Sequence, residues 1–169
     1  MALIVEDGSL VAGANSYVSL NEADNYFEYH PYYSANWADL DDDKKEAFLA
    51  YATSVVDQLF RWKGYPVSLA QNLGFPRTCL TDKYGNSIPD GSIPMNLKKG
   101  VMEMAVTSSM GNSFETSSSL GLEQVKIDVI ELKFDKTEAT PLIPAYALSL
   151  LKDYGTYSAG SRVIKAIVS

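Results

Sequence analysis

DKKEAFLAYATSVVDQLFRW, residues 43–62, is the stretch whose reading decides the fold. Phe48, Ala52, Val55, Val56 and Leu59 recur at helical spacing, with Leu49 and Phe60 widening the stripe, so one broad helical face is apolar. Asp43 is the expected N-cap, and Glu46, three residues on, its capping-box partner; together they would satisfy two otherwise unpaired backbone donors. The segment reads as the central core helix. No catalytic motif lies on it.

On its N-terminal side, residues 1–18 read as an extended arm, with a turn at EDGS and bends at Gly13 and Asn15. Residues 19–29 form a short helix. Ser19 and Glu22 cap it, Leu20, Ala23, Tyr26 and Phe27 share its apolar face, and Pro31 ends it. An aromatic loop with Tyr32, Tyr33 and Trp37 leads to the core helix.

On the C-terminal side, three prolines and four glycines forbid a continuous helix over the long loop 63–93, within which residues 82–86 predict a tight turn between short extended arms. Pro94 opens a third helix that stops at Gly111 and buries Leu97, Val101, Met104 and Ala105. Gly100 inside it predicts close helix contact, because glycine costs a helix interior about 1 kcal/mol. After a Ser- and Gly-rich connection, residues 124–135 read as a strand whose alternation changes phase between Val129 and Ile130, which predicts a bulge or kink. Residues 144–153 form a last short helix, closed by Gly155. The expected fold is mainly α: a small bundle of about four helices with a long irregular loop, a short strand or hairpin element and extended termini. It forms one domain over residues 1–155, followed by a tail, 156–169, whose RVIKAIV is apolar, β-branched and mildly basic.

A chain of 169 residues buries a core without metal or disulfide staples. The single cysteine, Cys79, points to a reducing compartment. The first residues lack the basic start and long apolar run of a secretion signal, and no apolar run approaches the roughly 20 residues that cross a bilayer, so a soluble protein is expected. The net charge of −7 is unevenly spread: residues 1–43 hold nine acids and no Lys or Arg. A nucleic-acid grip needs clustered cations, and this quarter of the chain repels a phosphate backbone. Acids also interleave the aromatic cluster Tyr26, Phe27, Tyr29, Tyr32, Tyr33 and Trp37, which favours packing of a helix pair over a base-stacking platform. The acid run before the core helix lacks the ligand spacing and turn glycine of a calcium loop.

Motifs for chemistry are missing. His30 is the one histidine, with no nucleophile elbow and no zinc-ligand spacing, and Cys79 has no Cys-x-x-Cys partner. Neither phosphate-cradling glycine motif is present. The expectation is no enzyme, no cofactor and no metal.

Several phrases together carry a resemblance: Val5-Glu6-Asp7-Gly8; Ala12 to Ser19 as AGANSYVS; Glu22 to Phe27 as EADNYF; Ala52-Thr53, Val56-Asp57, Arg61-Trp62-Lys63-Gly64, Phe75-Pro76-Arg77, Tyr84-Gly85 and Ile93-Pro94. In this order they resemble a tailed-bacteriophage family whose members are described as head-tail adaptor (head completion) proteins or as DnaT-like single-stranded DNA-binding proteins. The resemblance implies a helical adaptor in the virion, assembled in the host cytoplasm. It would dock beneath the portal protein as a homo-oligomeric ring of about twelve subunits, with tail or nozzle proteins below and DNA only passing through. It brings no catalytic or cofactor residues and no membrane.

A ring of this kind needs two different surfaces per subunit. The expected contacts are Phe75, Arg77, Tyr84, Ile88 and Ile93 against a neighbour, and Arg162, Val163, Ile164, Ile167 and Val168 against the portal. The alternative, single-stranded DNA binding, would draw on Lys44, Lys45, Arg61, Lys63, Lys98 and Lys99.

Overall fold

Ser19 decides where the first helix begins. Its Oγ accepts the Glu22 N–H at 3.2 Å, while a Glu22 carboxylate oxygen accepts the Ser19 N–H at 2.9 Å. The capping box opens α1 (Leu20–Glu28) as the sequence predicts. The computed structural model describes residues 2–111, 124–127, 130–133 and 143–158, the two central pieces by strand pairing alone. After α1 comes a helix the sequence did not signal, α2 (Ser34–Ala38), one turn long and without a side-chain cap. It carries Trp37 into the core, with its ring 4.7 Å from that of Phe27.

The decisive stretch folds as a helix with both ends moved. α3 spans Asp42–Leu59, and its N-cap is Asp41, which accepts the Lys44 N–H at 2.8 Å; Asp43 and Glu46 do not form the cap. Several acids in a row could serve, and the one with extended backbone (φ −70°, ψ 158°) takes the role. At the other end Phe60 is extended (φ −107°, ψ 137°), so the last three residues leave the helix and form β1 (Phe60–Trp62). Phe60 and Trp62 then share a face, with rings stacked at 4.9 Å, while Arg61 points to solvent. Tertiary pairing with β6 (Gly155–Tyr157) makes the extended form the better one. The long loop begins with β2 (Tyr65–Pro66), paired antiparallel to β3 (Arg77–Thr78). The predicted turn follows, with Asp82 Oδ1 accepting N–H groups of Tyr84 and Asn86 at 2.8 Å each and Gly85 at φ 86°.

The most deeply packed helix is α4 (Met95–Ser109), which corrects the expectation that residues 43–62 are the centre. It buries Leu97, Val101, Met102, Met104, Ala105 and Val106, packing against α3 and against α5 (Ala145–Leu151). An interior helix needs apolar residues around its circumference, and VMEMAV provides them apart from Glu103. β4 (Gln124–Ile127) and β5 (Ile130–Lys133) are antiparallel, with Ile127 opposite Ile130. The expected bulge at the phase change is therefore a hairpin reversal: two strands of opposite parity replace one kinked strand. Among the described residues the fold is thus mainly α with three two-stranded sheets. The chain remains paired through Tyr157.

Gly100 faces Leu151 of α5, where a β-carbon would lie 2.8 Å from Cδ2 and 2.9 Å from Cγ. The predicted close contact is there. Gly100→Ala, which should stabilise an unconstrained helix, is expected here to cost about 1–3 kcal/mol through overpacking, read from urea denaturation. An unchanged or raised stability would show that α4 and α5 can separate without loss.

Candidate functional site

One carboxylate gathers four segments. Asp57, near the end of α3, accepts the Tyr17 hydroxyl at 2.7 Å to each oxygen, the Trp62 indole N–H at 3.0 Å and the Gly74 N–H at 2.7 Å. The Tyr17 oxygen in turn accepts the Phe75 N–H at 3.0 Å. Burial pushes the Asp57 carboxyl above its ordinary value, and the donors from Gly74, Tyr17 and Trp62, with the Arg77 charge nearby, only partly offset it. Gly74 is obligatory, because a β-carbon would lie 2.6 Å from the Trp62 nitrogen. With every donor turned inward, this carboxylate is structural.

The lone histidine has a similar role. His30 Nδ1 accepts the backbone N–H of Tyr32 and of Tyr33, which leaves the proton on Nε2, 3.2 Å from the buried Glu103 of α4. Tyr26 donates to the same Glu103 oxygen at 2.6 Å, and the His30 ring stacks on Tyr33 at 4.9 Å. Trp37, Phe27 and their neighbours are packed. Of the aromatic cluster, Tyr29 and Tyr32 stand exposed, while Tyr26, Phe27, Tyr33 and Trp37 pack in or against the core, as the packing reading expects of them.

Folding spends most of the described cations. Lys45 is buried against Asp24 at 3.0 Å, below the Trp37 ring, and Lys98 pairs with Glu22 at 2.6 Å. Lys44 pairs with Asp41, and Lys63 donates to the Asp153 carbonyl. Arg77 uses its guanidinium as a clamp, donating to the carbonyls of Lys63, Gly74 and Gly64. Among the residues whose side chains are described, Arg61, Lys83, Lys99 and Lys152 make no ion pair, Lys83 lying over the Tyr84 ring. The six cations named for a DNA grip are not gathered.

The loop residues chosen as contacts divide sharply. Phe75 is fully buried, edge-on to Trp62 at 5.0 Å, and cannot be a contact. Arg77 is engaged, and Ile88 and Ile93 pack against the core. Tyr84 is 76% exposed. The sequence reading missed Tyr65, Val67 and Leu69, exposed in alternation beside β2, with Leu69 at 99%. Their period of two was a legible signal, hidden by the surrounding prolines and glycines. Arg162, Val163, Ile164, Ile167 and Val168 lie outside the described residues.

A groove of about 1060 Å³ runs along the outer side of α3, between the N-terminal arm and residues 72–73. Ala47, Ala50, Leu3, Tyr51 and Leu73 give it apolar surface, and Asp43, Glu46, Ser54 and Asp57 itself line it with polar groups. Among the described residues no cluster of metal-ligating side chains occurs, and no helix is long and apolar enough to cross a membrane.

A family model described as "Putative DnaT-like ssDNA binding protein" matches residues 1–167. No curated protein and no solved structure matches the chain.

The raised Asp57 value has a definite sign in stability. A carboxyl whose folded value exceeds the unfolded one holds its proton better when folded, so its contribution is full below the unfolded value and lost as pH rises through the folded one. Asp57→Asn keeps one acceptor and cannot ionise, and is expected to cost about 1–3 kcal/mol. Urea midpoints should show the larger penalty at pH 3 and a smaller one at pH 7. A penalty that grows with pH would contradict the assignment.

Proposed function

The chain belongs to this DnaT-like family; from its own distribution of charge and exposed side chains we propose a structural role for it, as a head-to-tail adaptor of a tailed-bacteriophage virion. In this reading it forms a homo-oligomeric ring beneath the portal, extends the DNA channel and offers tail or nozzle proteins a platform. The observation that carries the proposal is the fate of charge. Lys45, Lys98 and Arg77 are committed inside the fold, whereas the long loop exposes Tyr65, Val67, Leu69 and Tyr84, the last with Lys83 over its ring. Such side chains suit protein contacts, and a surface short of free cations has little with which to displace condensed counterions. DNA sliding past such a surface would not be held. The exposed loop residues are the proposed contact with a neighbouring subunit, and Arg162, Val163, Ile164, Ile167 and Val168 the contact with the portal. The reading invokes no catalytic residue.

The family description itself favours a second reading, single-stranded DNA binding. Phosphate contacts weaken steeply with salt, and this separates the two. Titration of labelled single-stranded DNA at low and near-physiological salt is expected to show no saturable binding. Saturable binding that falls as salt rises would replace the adaptor reading.

Removing residues 159–169 keeps β6 and its pairing with β1. The shortened chain is expected to melt as the full chain does and fail to join portal-bearing heads. Heads completed normally by it would remove the tail from the portal contact.

A further inference from the structure

The few cations that folding leaves without an ion partner are mostly gathered where α3 gives way to β1. Arg61, in β1, and Lys63, just beyond it, are both exposed. The Lys63 N–H donates to the Tyr154 carbonyl at 2.8 Å and its ammonium to the Asp153 carbonyl at 2.9 Å, which brings it beside the exposed Lys152. Lys83 lies within electrostatic reach of the Asp153 carboxylate, so the 82–86 turn comes to the same place. Arg77 adds its charge through its bonds to the Lys63 and Gly64 carbonyls. Against these cations stand Asp82 and Asp153 and, buried behind Arg77, Asp57. The end of the molecule is basic.

The other end of α3 carries the opposite sign. The helix has 18 residues, so at the helical rise its ends lie about 27 Å apart. At its start Asp39, Asp41, Asp42 and Asp43 are exposed, and Glu28 and Asp24 of α1 line a hollow beside them. Lys44 and Lys45 answer only part of this charge, the first paired with Asp41 and the second with Asp24 and Asp42. Two unlike patches at opposite ends of one chain make a heterologous pair, which joins copies head to tail and closes to a ring or runs on as a filament. A phosphate backbone fits the basic end less well, because a chain of net charge −7 repels it at long range and Asp82 and Asp153 sit among the cations.

We propose that the basic end formed by Arg61, Lys63, Lys83 and Lys152 docks a second copy of this chain, at the acidic corner where Asp39, Asp42 and Asp43 surround the start of its α3. The proposal rests on the ring reading and supplies the counter-surface that reading needs. Lys63 is two residues from the exposed Tyr65, and Lys83 adjoins the exposed Tyr84, so cations and exposed rings form one contact with charged and apolar parts. Charge then sets the polarity and register of assembly, and the apolar side chains add to its strength.

Sedimentation velocity of the full chain, at low and near-physiological salt, tests it. The unaltered chain is expected to self-associate, and less so as salt rises. Two variants reverse one end each: Lys83→Glu with Lys152→Glu, and Asp39→Lys with Asp43→Lys, both confirmed folded by their melting curves. Either alone should weaken association about tenfold or more at low salt. The first variant is acidic at both ends and the second basic at both, so mixing them should restore association, which damage to either fold would not do. A chain that stays monomeric at low salt, variants that associate as the unaltered chain does, or a mixture that restores nothing would overturn the contact and leave the adaptor reading standing. Saturable binding of labelled single-stranded DNA that Lys83→Glu with Lys152→Glu removes would overturn both, since the basic end would then belong to phosphates.

Discussion

The bonds converging on Asp57 hold the parts of this protein in one arrangement. A carboxylate drawn out of water must be compensated, and here the compensation comes from the N-terminal arm through Tyr17, from β1 through Trp62 and from the long loop through Gly74. Tyr17 passes the tie on to the Phe75 N–H, which sets that ring against Trp62. A loop crossing from residue 63 to residue 93 would ordinarily be the loosest part of a domain. Instead its first half is fixed at Gly74 and Phe75, and by the three bonds of Arg77 to loop carbonyls.

The same economy governs the surface. Acids and bases are matched: Glu103 with His30 and Tyr26, Asp24 with Lys45 and Trp37, Glu22 with Lys98 and the start of α1. Each pair joins segments distant in sequence, so charge acts here as a fastener between elements. Few free cations are left among the described residues, while Asp43 and Glu46 make no ion pair. The outward face of the long loop is correspondingly apolar, with Leu69 almost wholly in solvent. In the function proposed above, these features serve contact with other polypeptide segments.

Burial in α4 explains why the structural centre differs from the one periodicity marks. α3 has a clean amphipathic stripe because one side faces solvent and the groove. α4 is buried on several sides, from Leu97 to Ser108, so its central place comes from what packs around it and not from an apolar pattern different from that of α3.

The sequence by itself determined what depends on neighbours in the chain: the Ser19–Glu22 cap, the Asp82 turn, the stop at Pro31, the start after Pro94 and the need for close contact at Gly100. These follow from backbone donors, fixed φ values and local sterics, which act within a few residues. Tertiary structure decided the rest. Phe60 to Trp62 became a strand because Gly155 to Tyr157 lay beside them; Phe75 became core because Asp57 and Tyr17 fixed the backbone before it; the cations near α1 and α3 became internal ties. Each of these outcomes depends on a partner dozens of residues away, and neither periodicity nor residue type encodes which partner will be near.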